Sequence, residues 1–129
     1  GDIDHFKDVN DTYGHGVGDK VLESVAGLLK KALRKTDILG RYGGEEFLAV
    51  LPRPPLEKAG AVAERIRRAV EGESKEASGV SVTISLGVAL YAHGDTAASL
   101  IDKGDDCLYR AKREGRNRAV VEGEKPKRR

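Results

Sequence analysis

Tryptophan and methionine are absent from this chain of 129 residues, cysteine occurs once, and aromatic residues amount to 5%. Without large rings, the core has to be assembled from Val, Ile, Leu and Ala. The single Cys107 can form no internal disulfide and has no Cys or His partner at metal-ligand spacing. A disulfide scaffold and a zinc scaffold are therefore excluded, and a reducing, cytoplasmic setting is expected. No apolar run approaches the roughly 18–20 residues of a membrane span. The start, Gly1-Asp-Ile-Asp-His5, shows no signal-peptide pattern. Internal repeats, a Gly-x-Gly-x-x-Gly run and a P-loop are all missing, and no Ser/His/Asp set can be picked out of the sequence.

Charged residues supply 34% of the chain and hydrophobic ones 39%, a balance that suits one globular domain with one core. The formal net charge is +2, but Lys125, Lys127, Arg128 and Arg129 crowd into the last five positions. The rest is slightly acidic, so a basic groove for nucleic acid is not expected. Residues 123–129 read as a charged, disordered tail, and residues 1–122 as the folded domain.

Val17, Val21, Val25, Leu28, Leu29 and Leu33 recur at three- and four-residue steps, which predicts an amphipathic helix over 18–33. Strands are expected over 37–42 and 46–51, joined by Gly43-Gly44 in a tight hairpin with positive φ at both glycines. Pro52, Pro54 and Pro55 end the second strand and open a helix over 56–71, with Ala59, Val62, Ile66 and Ala69 as its buried stripe. Alternation from Val80 to Leu90 predicts a long strand. A helix over 99–114 follows, with Leu100, Ile101, Leu108 and Ala111 inward, then a short strand over 119–122. A hairpin amid alternating helices and strands implies an α+β fold with a mixed or antiparallel sheet covered by helices.

Three stretches carry candidate chemistry. In Arg41-Tyr-Gly-Gly-Glu-Glu-Phe47, adjacent carboxylates follow a turn, where a divalent cation would relieve their repulsion. A solvated acidic hairpin tip is the alternative. Glu45 and Glu46 should point to opposite faces and serve different roles. In Asp2-Ile-Asp-His-Phe-Lys-Asp-Val-Asn-Asp-Thr-Tyr-Gly-His15, a strand end meets carboxylates and a helix start, which suits a metal-bound phosphate. Helix capping by Asp4 or Asp8 is the alternative there. In Tyr109-Arg-Ala-Lys-Arg-Glu-Gly-Arg-Asn117, Lys112 and Arg116 lie four apart and can face one way as a phosphate clamp, or simply form a solvated basic helix end.

Taken together these stretches resemble the GGDEF family of diguanylate cyclases, which join two GTP into cyclic di-GMP. The signature is Gly43-Gly44-Glu45-Glu46-Phe47, the Glu-containing form. Gly18-Asp19, Thr83-Ile-Ser-Leu-Gly87 and Leu108-Tyr-Arg-Ala-Lys-Arg-Glu-Gly-Arg-Asn117 extend the likeness over nearly the whole chain.

The resemblance implies a central five-stranded sheet wrapped by helices, akin to nucleotidyl cyclases and polymerase palms. It implies that Asp2, Glu45 and the Ile3 carbonyl hold Mg²⁺ or Mn²⁺, and that Glu46 helps activate the ribose 3′-hydroxyl. Phe6 and Lys7, with Lys112 and Arg116, would hold the β- and γ-phosphates. Asn10 and Asp19 match the guanine readers, with an N-cap of the long helix as the alternative for Asp19. Each domain would hold one GTP, so catalysis implies a second copy of the chain in a homodimer. Arg34-Lys-Thr-Asp37 matches the inhibitory product site for cyclic di-GMP, with Arg65 either its secondary arginine or a solvated helix residue. Family members carry a further segment and most of a first strand before the position of Asp2. An N-terminal sensor or receiver domain is expected as a partner in the full-length protein. A cytoplasmic enzyme, or the cytoplasmic domain of a membrane-bound sensor, is the expected setting.

Overall fold

Val21, Val25 and Leu29 follow one another at four-residue steps and are all buried, so the helix they form presents a continuous apolar stripe. That helix is α2 (His15–Ala32) in a computed structural model that describes residues 1–52 and 56–124. Before it come β1 (Asp2–Ile3) and α1 (Phe6–Tyr13). After it come β2 (Ile38–Arg41), β3 (Phe47–Val50), α3 (Leu56–Ser78), β4 (Ile84–Val88), α4 (Ala97–Arg113) and β5 (Ala119–Val121). No described helix is long and apolar enough to cross a membrane. The expected tail falls mostly on residues 125–129, outside the described residues, as do Pro54 and Pro55.

The fold is α+β, with α2 packed against α3 and α4 packed against β4. β1 pairs antiparallel with β4, matching Asp2 to Ser85 and Ile3 to Ile84. β5 lies parallel to β4 on its other side, and β2 and β3 form an antiparallel hairpin with Ile38 opposite Val50. The strands therefore make a three-stranded and a two-stranded sheet rather than one continuous five-stranded sheet. A single bridge, Asp2 to Glu46, joins the two. The Gly1 N and O atoms bond the Phe47 O and N atoms at 2.8 Å.

The main core joins Ile3, Phe6, Val25, Phe47, Ile66 and Ile84, so both phenylalanines are buried alongside the aliphatic residues. Cys107, Ala111 and Val120 form a second, smaller cluster between α4 and β5.

Several elements depart from their expected bounds. The strand expected over 80–90 is regular only from Ile84 to Val88, although Val80 and Val82 are buried. Their backbones are bound by two serines of α3. Ser74 Oγ donates to Val82 O at 3.1 Å and accepts from Val82 N at 3.0 Å. Ser78 Oγ does the same for Val80, at 3.1 and 3.2 Å. α3 accordingly runs to Ser78 instead of stopping near Glu71: in its otherwise exposed last turns Ser74 and Ser78 are buried and face the Val80–Val82 backbone. The capping box of Thr96 and Ser99 starts α4 two residues early, at Ala97, and Leu100, Ile101 and Leu108 are half-buried. α1, read only as a helix start, is a complete two-turn helix. Gly43 and Gly44 do not use the left-handed region. The loop spans more than two residues and is closed by Tyr42 N and Gly43 N donating to Glu46 O, at 2.9 and 3.4 Å.

Candidate active site

The chain's first strand brings a carboxylate into the interior. Asp2 is 5% exposed, and its Oδ2 pairs with Lys112 Nζ from α4. Its Oδ1 is buried and has no hydrogen-bond partner among the described residues. A buried anionic oxygen left without a donor is costly unless a cation completes it. The Asp2–Glu46 bridge sets the acidic turn beside it, and Ile3 N donates to Glu45 O at 3.3 Å. Glu45 is half-buried and Glu46 exposed, consistent with different roles. No group of three or more His, Cys, Asp or Glu side chains gathers at metal-ligand spacing among the described residues. Two carboxylates and a carbonyl would leave positions open for phosphate oxygens and water, as hard divalent cations accept.

Beside Glu45 opens a cleft of about 390 Å³, lined by Phe6, Lys7, Asn10, Asp19 and Arg41 among others. That size falls in the range of small-molecule sites. Its walls follow from the α1–α2 corner, where Gly14 (φ 89°) serves both helix ends. The turn stacks the end of α1 against the start of α2, which brings Asn10 and Asp19 to one wall. Capping of α2 by Asp19 does not occur, because the cap is Gly14 and Asp19 lies inside the helix, exposed. Neither Asp4 nor Asp8 caps α1, whose N-cap is His5 in the left-handed region (φ 56°) with no side-chain bond. The first N–H groups of α1, at Phe6 and Lys7, thus have neither an intrahelical acceptor nor a side-chain cap.

Lys112 and Arg116 do not share a helical face. α4 ends at Arg113, and Arg116 lies in the following turn with φ 64°, its side chain exposed. Gly115 stops the helix, so the four-residue spacing no longer has helical meaning there.

Sequence reasoning missed His15, Leu22 and Arg41 as cleft residues. Arg41 Nε donates to Gly43 O at 3.3 Å and Gly44 O at 2.9 Å, fastening the acidic turn. An arginine two residues before the glycine pair was the available signal. Asp4, weighed in the sequence only as a helix cap, is instead a buried acceptor. It is 5% exposed and accepts from Thr83, Ser85 and the Asn117 backbone.

Arg34 and Asp37 pair directly, and Arg65 lies near enough to act on Asp37 through its charge. Arg34 Nη2 and Nε reach Asp37 Oδ1 at 2.7 and 3.1 Å, and Arg34 N donates to Asp37 Oδ2 at 2.8 Å. These bonds, aided by the nearby charge of Arg65, hold the Asp37 carboxyl below its ordinary range. Arg65 is exposed, and its Nη2 donates to Ala32 O at 2.6 Å, at the end of α2.

The family profile described as "Diguanylate cyclase, GGDEF domain" matches residues 1–118. Diguanylate cyclase A of Treponema denticola is 47% identical over 123 residues, which is 93% of this chain and 33% of that protein. The chain thus spans a third of that relative's length. The active GGEEF domain of a diguanylate cyclase from Vibrio cholerae superposes with a TM-score of 0.86 at 36% identity, over 96% of this chain and 80% of the other. The GGDEF domain of DgcB from Caulobacter crescentus, solved in complex with c-di-GMP, gives 0.85 at 36% identity, over 93% and 73%. With its buried aspartate, acidic turn and adjoining cleft, this chain belongs to the GGDEF family of diguanylate cyclase domains.

Proposed function

We propose that this domain condenses two GTP into cyclic di-GMP and two pyrophosphates, across a homodimer in which each copy holds one GTP. The observation that carries the proposal is the unpartnered, buried Oδ1 of Asp2 beside the Glu45–Glu46 turn, at the edge of a cleft of about 390 Å³. Asp2, Glu45 and the Ile3 carbonyl would hold Mg²⁺ or Mn²⁺, which when bound neutralises charge on the triphosphate.

The chain's own residues supply the remaining needs of phosphoryl transfer, which are positioning and charge compensation. Phe6 and Lys7 meet the β- and γ-phosphates with the α1 N–H groups, joined by Lys112 and Arg116. Asn10 and Asp19 read guanine: a carboxylate accepts from N1–H and the exocyclic amine, whereas adenine offers a bare acceptor at N1. Each 3′-oxygen forms a bond to the α-phosphorus of the GTP held by the facing copy. The bond from that phosphorus to its bridging oxygen breaks and pyrophosphate leaves. Glu46, exposed at the rim, takes the hydroxyl proton. Because each copy supplies one half of the reacting pair, a monomer is inactive.

Arg34, Asp37 and Arg65 form the site at which cyclic di-GMP inhibits, with arginine donating to guanine O6 and N7. Arg34→Ala is expected to relieve inhibition by added product while leaving the initial rate unchanged. In the whole protein, an upstream sensor or receiver domain controls how two copies meet.

The test is mass spectrometry of products from GTP and Mg²⁺ at high protein concentration, with Glu46→Gln as control and ATP as competitor. Cyclic di-GMP from the parent but not the variant supports the reading. An inert parent, still inert when extended upstream yet binding cyclic di-GMP, makes this a receptor instead.

A further inference from the structure

Asp4 has no part in the chemistry just described, yet its carboxylate is buried and fully engaged. Ser85 Oγ donates to Oδ1 at 2.6 Å, while Thr83 Oγ1 and the Asn117 backbone N–H donate to Oδ2 at 2.7 and 3.0 Å. The two hydroxyls come from β4 and the residue before it. The amide comes from 113 residues further along the chain, in the turn that leaves α4.

That turn is strained. Arg116 and Asn117 both occupy the left-handed region, at φ 64° and 45°, although neither is glycine. Two consecutive residues of this kind persist only when their surroundings hold them. Arg116 N donates to Ala111 O at 3.0 Å, which ties the turn to α4. The Asn117 side chain accepts from Arg67 Nη1 at 3.1 Å and donates to Glu71, which ties it to α3. The bond from Asn117 N to Asp4 is what ties it to the residue that directly follows β1, two residues from Asp2.

We propose that Asp4 is a positioning residue for the nucleotide's polyphosphate: it locks the Arg116–Asn117 turn to β1 and so holds Arg116 in register with Asp2. The inference rests on the reading of Arg116 as a phosphate contact. A carboxylate suits the task because three donors converge on its two oxygens. Asparagine can keep the arrangement, with its oxygen toward Thr83 and Asn117 and its NH₂ donating to Ser85 Oγ. Alanine cannot, and it leaves the Asn117 N–H without a partner.

The probe is GTP with a methylene in place of the α,β-bridging oxygen, which cannot lose pyrophosphate; GMP, lacking the β- and γ-phosphates, is its control. Calorimetry on the whole chain with Mg²⁺ is expected to show about tenfold weaker binding of the analogue to Asp4→Ala, with GMP affinity at the parental level. Asp4→Asn is expected to bind both as the parent does. Arg116→Ala weakens analogue binding alone, and adding Asp4→Ala to it causes no further loss, because the two act through one contact. If alanine prevents folding, Asp4→Ser takes its place: its hydroxyl keeps a polar group at the site, and its shorter side chain removes the carboxylate oxygen that Asn117 N–H uses. Additive losses in the double variant, or equal losses for analogue and GMP, overturn the inference while Arg116 keeps its role. Unchanged analogue binding by Arg116→Ala overturns that role and the inference with it.

Discussion

Asn10 lies so closely over Gly18 that a β-carbon added there would stand 1.8 Å from its Oδ1. Gly18 sits inside α2, where alanine is the better helix former by about 1 kcal/mol. Its presence serves the asparagine, not the helix. Gly18→Ala is therefore expected to keep or raise thermal stability, because the Asn10 side chain can swing aside. GTP affinity should fall about tenfold as one guanine contact is lost. Calorimetry beside a thermal melt separates the two effects, and a loss of stability without loss of affinity contradicts the assignment of Asn10.

Gly87 presents the opposite case. A β-carbon there would meet Gly104 O at 2.2 Å and Leu108 N at 2.4 Å, both backbone atoms of α4. Backbone cannot swing aside, so the helix must lift from β4. Gly87→Ala is expected to cost about 3 kcal/mol or more. For a domain of this size that lowers the melting temperature by about 10 °C.

Lys112 is the sole partner of Asp2 Oδ2 among the described residues, and Oδ1 has none. Lys112→Met leaves a buried carboxylate uncompensated. Because Lys112 is 34% exposed, water softens the penalty to about 1–3 kcal/mol. Mg²⁺ should restore more stability to this variant than to the parent, read as a larger shift in the urea midpoint. Equal shifts would remove Asp2 from the metal site.

Asp95 supplies a pH signature away from the site. Lys103 Nζ, Ala92 N and Ser99 Oγ donate to it, and these bonds lower its carboxyl from 3.8 to about 2. A depressed folded value means that the stabilisation is complete above the unfolded value and lost as pH falls through the folded one. Asp95→Asn should thus be less stable than the parent at pH 6, with the gap closing between about pH 4 and pH 2. Urea unfolding at several pH values checks this; a gap that persists at pH 2 contradicts it.

How much was legible in sequence depended on how local the cause was. Val21, Val25 and Leu29 announce α2 because helical period is a short-range property. The stripe of Ala59, Val62 and Ile66 did the same for α3, yet its last turns were missed. Ser74 and Ser78 look like surface residues until the backbone of Val80 and Val82 arrives to bond them. The hairpin was readable from Gly43-Gly44 and its flanking strands, whereas its turn geometry was not, since Arg41 and the Glu46 carbonyl close it from outside the glycines.

By itself, the sequence determined the order of elements, the family signature and the acidic, basic and amide residues on which the proposed site draws. Only tertiary structure decided which of them meet. Asp2 finds Lys112 across 110 residues, and Asp4 finds Asn117 across 113. Arg116 left the helical face that spacing alone assigned it, because Gly115 breaks the helix and the turn beyond is held by distant groups. Spacing constrains neighbours through backbone geometry, but a carboxylate's partners are set by where the whole chain packs.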